Sequence, residues 1–284
     1  MKYEDGRLHI FTPSGWWGDQ ILNFYAIKYC LEKYEKSKVI IHASKRAYNP
    51  HLKEFIPMDQ GILKFWSTFN FVEGILFDCD QETLYEDAEE SNYKWFPFLN
   101  EKVPDDYNID LSKEINFSLF PKRFKKFEDS KIAVFQPISL KNKPDNLKKD
   151  FLCSWDQSFQ ELIKKKYSIY LIGSVEDLNQ CEIFYPELLK SNNIINLMGK
   201  INMFEAIDLV MNHASFVLSC CSWSAWYGIA SRTPTAFAAG PILESGHDNK
   251  YVKLIKNKDI FYMDYSSKKE EADSNIQEWI INNA

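Results

Sequence analysis

Apolar residues fall into short runs and helical stripes that alternate along most of this chain. Leu8 to Phe11 is an apolar strand, followed by the turn-forming segment Thr12-Pro13-Ser14-Gly15-Trp16-Trp17-Gly18. An amphipathic helix is expected from Asp19 toward Lys36, with Ile21, Leu22, Tyr25 and Tyr29 as its buried stripe. Val39 to His42 reads as a second strand, so the start of the chain is a βαβ unit with glycines in its first crossover. Gly15 to Asp19 then lies at the carboxyl end of the first strand, where open α/β sheets bind their ligands.

From Asn49 to Phe127 the periodicity blurs into aromatic pieces, Phe65-Trp66 and Tyr93-Lys94-Trp95-Phe96, and an acidic run around Glu86 to Glu90. Acceptor-binding loops are expected here. Pro121 to Asp129, basic then acidic, reads as a linker whose charges are solvated surface. Beyond it the alternation is regular. Strands are expected at Ile132 to Gln136, Ser168 to Ile172, Ile194 to Leu197, Phe216 to Cys220 and Thr235 to Ala238. Helices are expected at Trp155 to Lys166, after Val175, at Met203 to Asn212, at Ser224 to Ser231 and at Ser274 to Asn283. Continuous apolar strands joined by short links and helices define a doubly wound parallel sheet. The expected organisation is a first Rossmann-like domain over 1–128, a second over 129–270 and a terminal helix over 271–284.

Composition narrows the function classes. At 284 residues the chain suffices for two ordinary domains without staples. Aromatic residues make up 15%, a rich supply of rings for cores and for stacking on sugars or bases. The formal net charge of −6 supplies no global field toward nucleic acid or anionic lipid. Cys30, Cys79, Cys153, Cys181, Cys220 and Cys221 show neither a CxxC pair nor Cys/His ligand spacing, which argues against a zinc site or a disulfide framework. They read as buried thiols of a cytoplasmic protein. Charged residues soon after Met1 argue against a secretory signal there, and the apolar stretch Ala214 to Ser231 fits a strand plus helix better than a membrane span.

Two segments carry candidate chemistry. In the first, Gly15-x-x-Gly18-Asp19 precedes a helix, so backbone can approach a bulky anionic ligand and Asp19 is held ionised by the helix dipole as a proton acceptor. The plainer reading of the same residues is a turn with an Asp cap. In the second, Ser219-Cys220-Cys221-Ser222-Trp223-Ser224 ends a strand and opens a helix, offering N–H and O–H donors to a diphosphate without metal. Gly173-Ser174 with Glu176 and Asp177 sits at another strand end, where a carboxylate suits ribose hydroxyls. Asp78-x-Asp80 is the nearest approach to a metal-binding Asp-x-Asp pair and reads as a loop pair.

Phe216 through Pro241, the upstream Leu197-Met198-Gly199-Lys200 and the first Gly15-x-x-Gly18-Asp19 resemble glycosyltransferase family 9, the lipopolysaccharide heptosyltransferases. The resemblance covers Ile132 to Pro241 and the first βα unit. It implies a GT-B fold of two Rossmann-like domains facing a cleft, and an inverting single displacement from a nucleotide-diphosphate sugar. By position it implies Asp19 as the base. Gly15 and Gly18 would border the donor, Gly173, Ser174, Asp177, Gly199 and Ile201 the nucleoside, and Cys221, Ser222, Trp223 and Ser224 the phosphates. A phosphate-binding lysine would be one of Lys143, Lys148 and Lys149, with Lys148 and Lys149 taken as the choice.

The chain departs from the family where Cys221-Ser222-Trp223 replaces Asp-Thr-Gly and Trp226 stands where a histidine is expected. Gly15-x-x-Gly18-x-Gln20 with Tyr25-Ala26, and Ser222-Trp223-Ser224-Ala225-Trp226, also resemble family 11 fucosyltransferases, whose His-x-Arg-Arg-Gly-Asp signature is absent. Both resemblances imply sugar transfer and differ on the sugar. The expectation is a metal-independent glycosyltransferase without a cofactor. Its partners are a nucleotide-sugar donor and, as acceptor, a saccharide or, for a virus-encoded enzyme, a modified nucleobase. The competing classes are an inactive nucleotide-sugar binding protein and a nucleotide-sugar epimerase on the same fold.

Overall fold

The computed structural model describes residues 7–11, 17–49, 54–78, 98–99, 131–138, 155–220, 222–239, 260–264 and 269–283. The chain divides into two compact units, Met1–Asp110 and Leu111–Ala284.

In the first unit, β1 (Leu8–Phe11), α1 (Trp17–Lys33) and β2 (Val39–His42) form the expected βαβ unit, with β1 and β2 parallel. A hairpin follows, β3 (Arg46–Asn49) with β4 (Glu54–Pro57), then α2 (Gln60–Ser67) and β5 (Val72–Leu76), which pairs parallel to β2. Phe98–Leu99, β6, pairs antiparallel to β1, giving the order β5-β2-β1-β6. The blurred stretch of sequence thus contains a regular α2–β5 continuation of the sheet. Its signal is the Asp59 cap, whose carboxylate accepts from Gly61 N at 2.8 Å, followed by buried Ile62, Leu63, Phe65 and Trp66.

Helix α1 begins two residues earlier than the sequence suggests, so Asp19 is its third residue and not its cap. Ile21 and Tyr25 are buried as expected and Tyr29 is half-buried, while Trp17, Phe24, Ile27, Cys30 and Leu31 complete the inner face. Phe24, Phe65, Trp66, Phe69 and Phe71 form a ring cluster with centroids about 5–6 Å apart. The indole of Trp66 donates to buried Gln20 Oε1 at 2.8 Å, so this apolar cluster leaves the ring nitrogen satisfied.

The second unit is a parallel sheet in the order β12-β11-β10-β7-β8-β9. Its strands are β7 (Ile132–Gln136), β8 (Ser168–Leu171), β9 (Ile194–Asn196), β10 (Phe216–Cys220), β11 (Thr235–Ala239) and β12 (Ile260–Asp264). The helices are α3 (Asp156–Lys164), α4 (Val175–Phe184), α5 (Pro186–Lys190), α6 (Met203–Asp208) running into a π-helical turn at Leu209–His213, α7 (Trp223–Ala230) and α8 (Lys269–Asn283). All of β7 is buried, consistent with a central strand covered on both faces. Phe135, Trp155, Phe159, Leu162, Ile169, Leu171, Phe216 and Leu218 form one core, which Ile276 and Ile280 of α8 join. Strand β12 was not anticipated, although Ile260 to Met263 is an apolar run of strand length.

Chain order along this sheet reverses beside β7: β8 and β9 extend one way, β10, β11 and β12 the other. The switch point therefore lies between the carboxyl ends of β7 and β10. No helix among the described residues is long and apolar enough to cross a membrane.

Candidate functional site

Several of the residues singled out in the second unit gather at the carboxyl edge of its sheet. At the end of β10, Ser222 sits at the N-cap of α7 in extended backbone, and its side chain makes no capping hydrogen bond. The opening N–H groups of any α-helix lack partners within the helix, and the helix dipole makes that end attractive to anions. Ser224, in the first turn of α7, is fully buried, with its Oγ 2.6 Å from Ser219 Oγ. Ser219 donates to the Cys220 carbonyl at 2.7 Å, so the shared proton between the two serines comes from Ser224. Trp223 meets Tyr227 edge to face at 5.7 Å, and burial pushes the Tyr227 phenol well above its ordinary value. Gly228 lets α7 lie close on the sheet, because a Cβ there would stand 2.6 Å from Thr235 Oγ1.

Gln136 is the residue that sequence reasoning missed. It ends β7, is 1% exposed, and pairs in register with Ser219 across the switch point. Register partners on parallel strands share a face, so Gln136 lies on the side where Ser219 meets α7. Among the described residues its buried Oε1 has no hydrogen-bond partner, a state that costs about 1–3 kcal/mol unless a ligand or water supplies a donor. The available signal was a polar residue closing the apolar run Ile132 to Phe135.

At the ends of β8 and β9 the chain closes a second part of the edge. Gly199 N donates to the Gly173 carbonyl at 3.0 Å, joining the two loops. Gly199 has φ +67° and Gly173 φ +155°, values that side chains with a Cβ disfavour. Ser174 and Asp177 form a reciprocal capping box at the start of α4, with Asp177 Oδ2 accepting from Ser174 N at 2.8 Å and Ser174 Oγ accepting from Asp177 N at 3.1 Å. Asp177 is 5% exposed, whereas Glu176 beside it is exposed. Ile201 is half-buried, just before the Asn202 cap of α6.

In the first unit, Gly18 and Asp19 lie in the first turn of α1, downstream of β1. The side chain of Asp19, and all of Gly15, Lys143, Lys148, Lys149 and Cys221, lie outside the described residues. Among the described residues, no group of three or more His, Cys, Asp or Glu side chains is placed to hold a metal ion.

A parallel sheet with this switch point and helix N-termini along its carboxyl edge is the architecture of nucleotide-binding α/β proteins. No family model matches the chain, and no curated protein matches its sequence. Solved structures do. The chain is similar to the E. coli heptosyltransferase WaaC with ADP, at 11% identity over 98% of this chain and 100% of that one, with a TM-score of 0.58. It is similar to E. coli ADP-heptose lipopolysaccharide heptosyltransferase II at 11% identity over 96% and 97%, TM-score 0.57. A family 9 glycosyltransferase from Veillonella parvula DSM 2008 matches at 12% identity over 93% and 87%, TM-score 0.53. The fold is that of the heptosyltransferase-like family 9 glycosyltransferases.

Proposed function

We propose that the chain is a glycosyltransferase of GT-B type that moves a sugar from a nucleotide-diphosphate sugar to an acceptor hydroxyl by a metal-independent inverting displacement. The observation that carries this reading is the switch point of the second unit, where the unsatisfied Gln136 Oε1 lies on the face of Ser219 and the α7 N-terminus. A helix N-terminus and hydroxyl donors bind a diphosphate, and a buried amide oxygen accepts from a sugar or base hydroxyl or amine. The likeness to WaaC, solved with ADP, makes ADP the first nucleotide to test.

In this reading Ser222, Trp223 and Ser224, with Cys221, border the phosphates, and Gly173, Ser174, Asp177, Gly199 and Ile201 border the nucleoside. Gly15 and Gly18 border the donor from the first unit, and Lys148 or Lys149 meets the phosphates. Asp19 takes the acceptor proton as the hydroxyl oxygen attacks the anomeric carbon and the diphosphate leaves with the bonding electron pair. A base of this kind contributes about 10²–10⁴-fold. Departing charge is stabilised by the α7 N–H groups and the lysine.

The test is a panel of nucleotide-sugars assayed for nucleotide release, with and without glycan or hydroxylated-nucleobase acceptors and with chelator present. Acceptor-dependent release that survives chelation supports the reading, and Asp19→Asn is then expected to lower turnover at least about 10²-fold with donor affinity kept. Donor binding without release indicates the binding-protein alternative. Interconversion of the sugar on its nucleotide indicates the epimerase.

A further inference from the structure

Asp78 is a half-exposed carboxylate held from below by two buried histidines. His9 is the second residue of β1, His42 the last of β2, and Asp78 lies two residues beyond β5. The β1–β2 register pairs His9 with Ile40 and Phe11 with His42, which puts both histidines on one face. His9 Nδ1 stands 2.8 Å from His42 Nε2, and His42 Nδ1 stands 2.7 Å from Asp78 Oδ1. Both imidazoles are buried, whereas the Asp78 side chain is 50% exposed. Beside it, Leu76 and Phe77 are 45% and 54% exposed, two of the few large apolar side chains that the described residues leave in solvent. Leu76 is the register partner of His42 and so shares its face.

The hydrogen bonds run one way. An ionised carboxylate only accepts, so His42 donates from Nδ1 to Asp78 Oδ1, and the Nε2 of the neutral ring accepts from His9 Nδ1–H. A carboxylate on the surface is ordinarily free to turn. This one is fixed by a buried imidazole whose own tautomer is set by a second. The bond to His42 occupies Oδ1, and among the described residues Oδ2 meets no donor. An oriented acceptor oxygen thus faces outward at the carboxyl edge of the first sheet, next to exposed apolar side chains.

We propose that Asp78, with Leu76 and Phe77, forms a recognition site for a neutral saccharide acceptor, in which the held carboxylate takes hydrogen bonds from sugar hydroxyls that do not react. The proposal rests on the transferase reading above and names its acceptor class. Strands β1, β2 and β5 are parallel, so their carboxyl ends lie on one edge. On that edge β5 stands two strand spacings, about 10 Å, from β1, after which α1 and Asp19 follow. Asp78 therefore meets a part of the acceptor away from the attacking hydroxyl. Asp19 keeps its place as the base, and no proton changes owner at Asp78. A sugar presents O–H donors to a carboxylate and C–H faces to apolar side chains, which matches a mostly apolar lining with one placed polar group. A nucleic-acid acceptor would bring its phosphates up to the same carboxylate, where like charges repel. His42 and His9 are positioning residues that act through Asp78.

The test uses the full chain in the nucleotide-release panel, with neutral oligosaccharides and an oligonucleotide carrying a hydroxylated base as the two acceptor classes. Release is expected with a saccharide. In Asp78→Ala, whose half-exposed site tolerates truncation, the acceptor KM should rise at least about tenfold, while the donor KM and kcat at saturating acceptor stay within about threefold. Asp19→Asn should show the opposite split. Deoxy analogues of the saccharide identify the hydroxyl concerned: removing it should raise the wild-type KM by a similar factor and that of Asp78→Ala by less than about twofold. A merely structural loss does not produce that coupling. In ¹⁵N-labelled protein the ring of neutral His42 should be protonated at Nδ1 and its signal should shift in Asp78→Ala; protonation only at Nε2 overturns the positioning role. With Asp19→Asn inactive, an unchanged acceptor KM in Asp78→Ala, purely additive deoxy losses, or release with the oligonucleotide alone each overturns the proposal and leaves the transferase reading standing. Absence of release from the wild type with every donor and acceptor sinks the transferase reading, and the proposal with it.

Discussion

Asp273 of α8 caps the helix that carries Ser158, 115 residues earlier in the chain. Its Oδ1 accepts from Ser158 N at 3.0 Å and from Ser158 Oγ at 2.6 Å, and its Oδ2 accepts from Gln157 N at 2.8 Å. The residue at the local cap position, Trp155, has φ +63° and makes no side-chain cap. It is instead packed into the core against Phe135, with its indole N–H donating to the Pro137 carbonyl. A carboxylate from the end of the chain thus does for α3 what a preceding Ser or Asp does elsewhere, and pins α8 to the core in the same contact.

Asp273→Ala is therefore expected to lower the unfolding free energy by about 2–4 kcal/mol, since two backbone N–H groups lose their acceptor and the fully buried Ser158 hydroxyl keeps only the longer bond to the Asp273 carbonyl, 3.3 Å. Ser158→Ala alone should cost about 1 kcal/mol, and close to nothing more once Asp273 is gone. Urea unfolding of the four-member cycle measures this. Additive losses would show that the two residues act separately.

The Gly173–Gly199 contact gives a prediction about the nucleoside end of the site. A Cβ at Gly199 would lie 2.6 Å from Val175 Cγ2, and φ +67° is itself unfavourable to a side chain by about 1–2 kcal/mol. Val175 is 53% exposed and can move, so the clash is relievable and the backbone strain is not. Gly199→Ala should weaken ADP affinity, and adding Val175→Ala should recover only part of the loss. Full recovery in the double variant would assign the effect to the clash alone. Calorimetric titration with a thermal melt on each sample separates binding from folding.

Cys181 should be chemically silent in the native protein. Burial first, and then the nearby Asp177 charge, push its thiol up to about 12, and the thiolate is the reactive form. At pH 8.5 its alkylation by iodoacetamide is expected to follow unfolding, detected by mass spectrometry of the Cys181 peptide across a urea series. The folded value exceeds the ordinary 9.0, so this thiol leaves stability untouched below about pH 9 and erodes it as pH rises from there toward 12. Rapid labelling without denaturant would contradict the buried placement.

Much of this was legible because apolar periodicity reports burial. Ile132 to Phe135 and Phe216 to Leu218 are covered on both faces, and their unbroken apolar runs say so. The α7 start was legible for a related reason, since Ser222 follows an apolar strand and precedes a largely apolar helix. What escaped depends on partners distant in sequence. The Asp273 cap, the Gln136–Ser219 pairing and the His9–His42–Asp78 chain join residues whose local windows are unremarkable, and only sheet order brings them together. Asp19 was placed correctly on a helix yet assigned to its edge, because Trp16 and Trp17 resemble turn flanks when the first helical turn is not known.

Ser222 offers the sharpest test of where the donor sits. Its side chain makes no capping hydrogen bond, so the hydroxyl contributes little to α7 itself. Aspartate is as good an N-cap as serine and interacts favourably with the helix dipole, so Ser222→Asp should fold at least as well as the wild type. A diphosphate resting on the α7 N–H groups would meet that new carboxylate at close range in a half-buried setting. Repulsion worth one pKa unit is about 1.4 kcal/mol, so nucleoside diphosphate affinity should fall roughly tenfold or more in Ser222→Asp. Ser222→Ala should lose less, because the backbone donors stay. The opposite signs expected for stability and binding exclude a general loss of structure as the cause. Calorimetric titration of ADP into all three proteins decides the matter, and equal affinities would move the diphosphate away from the end of β10.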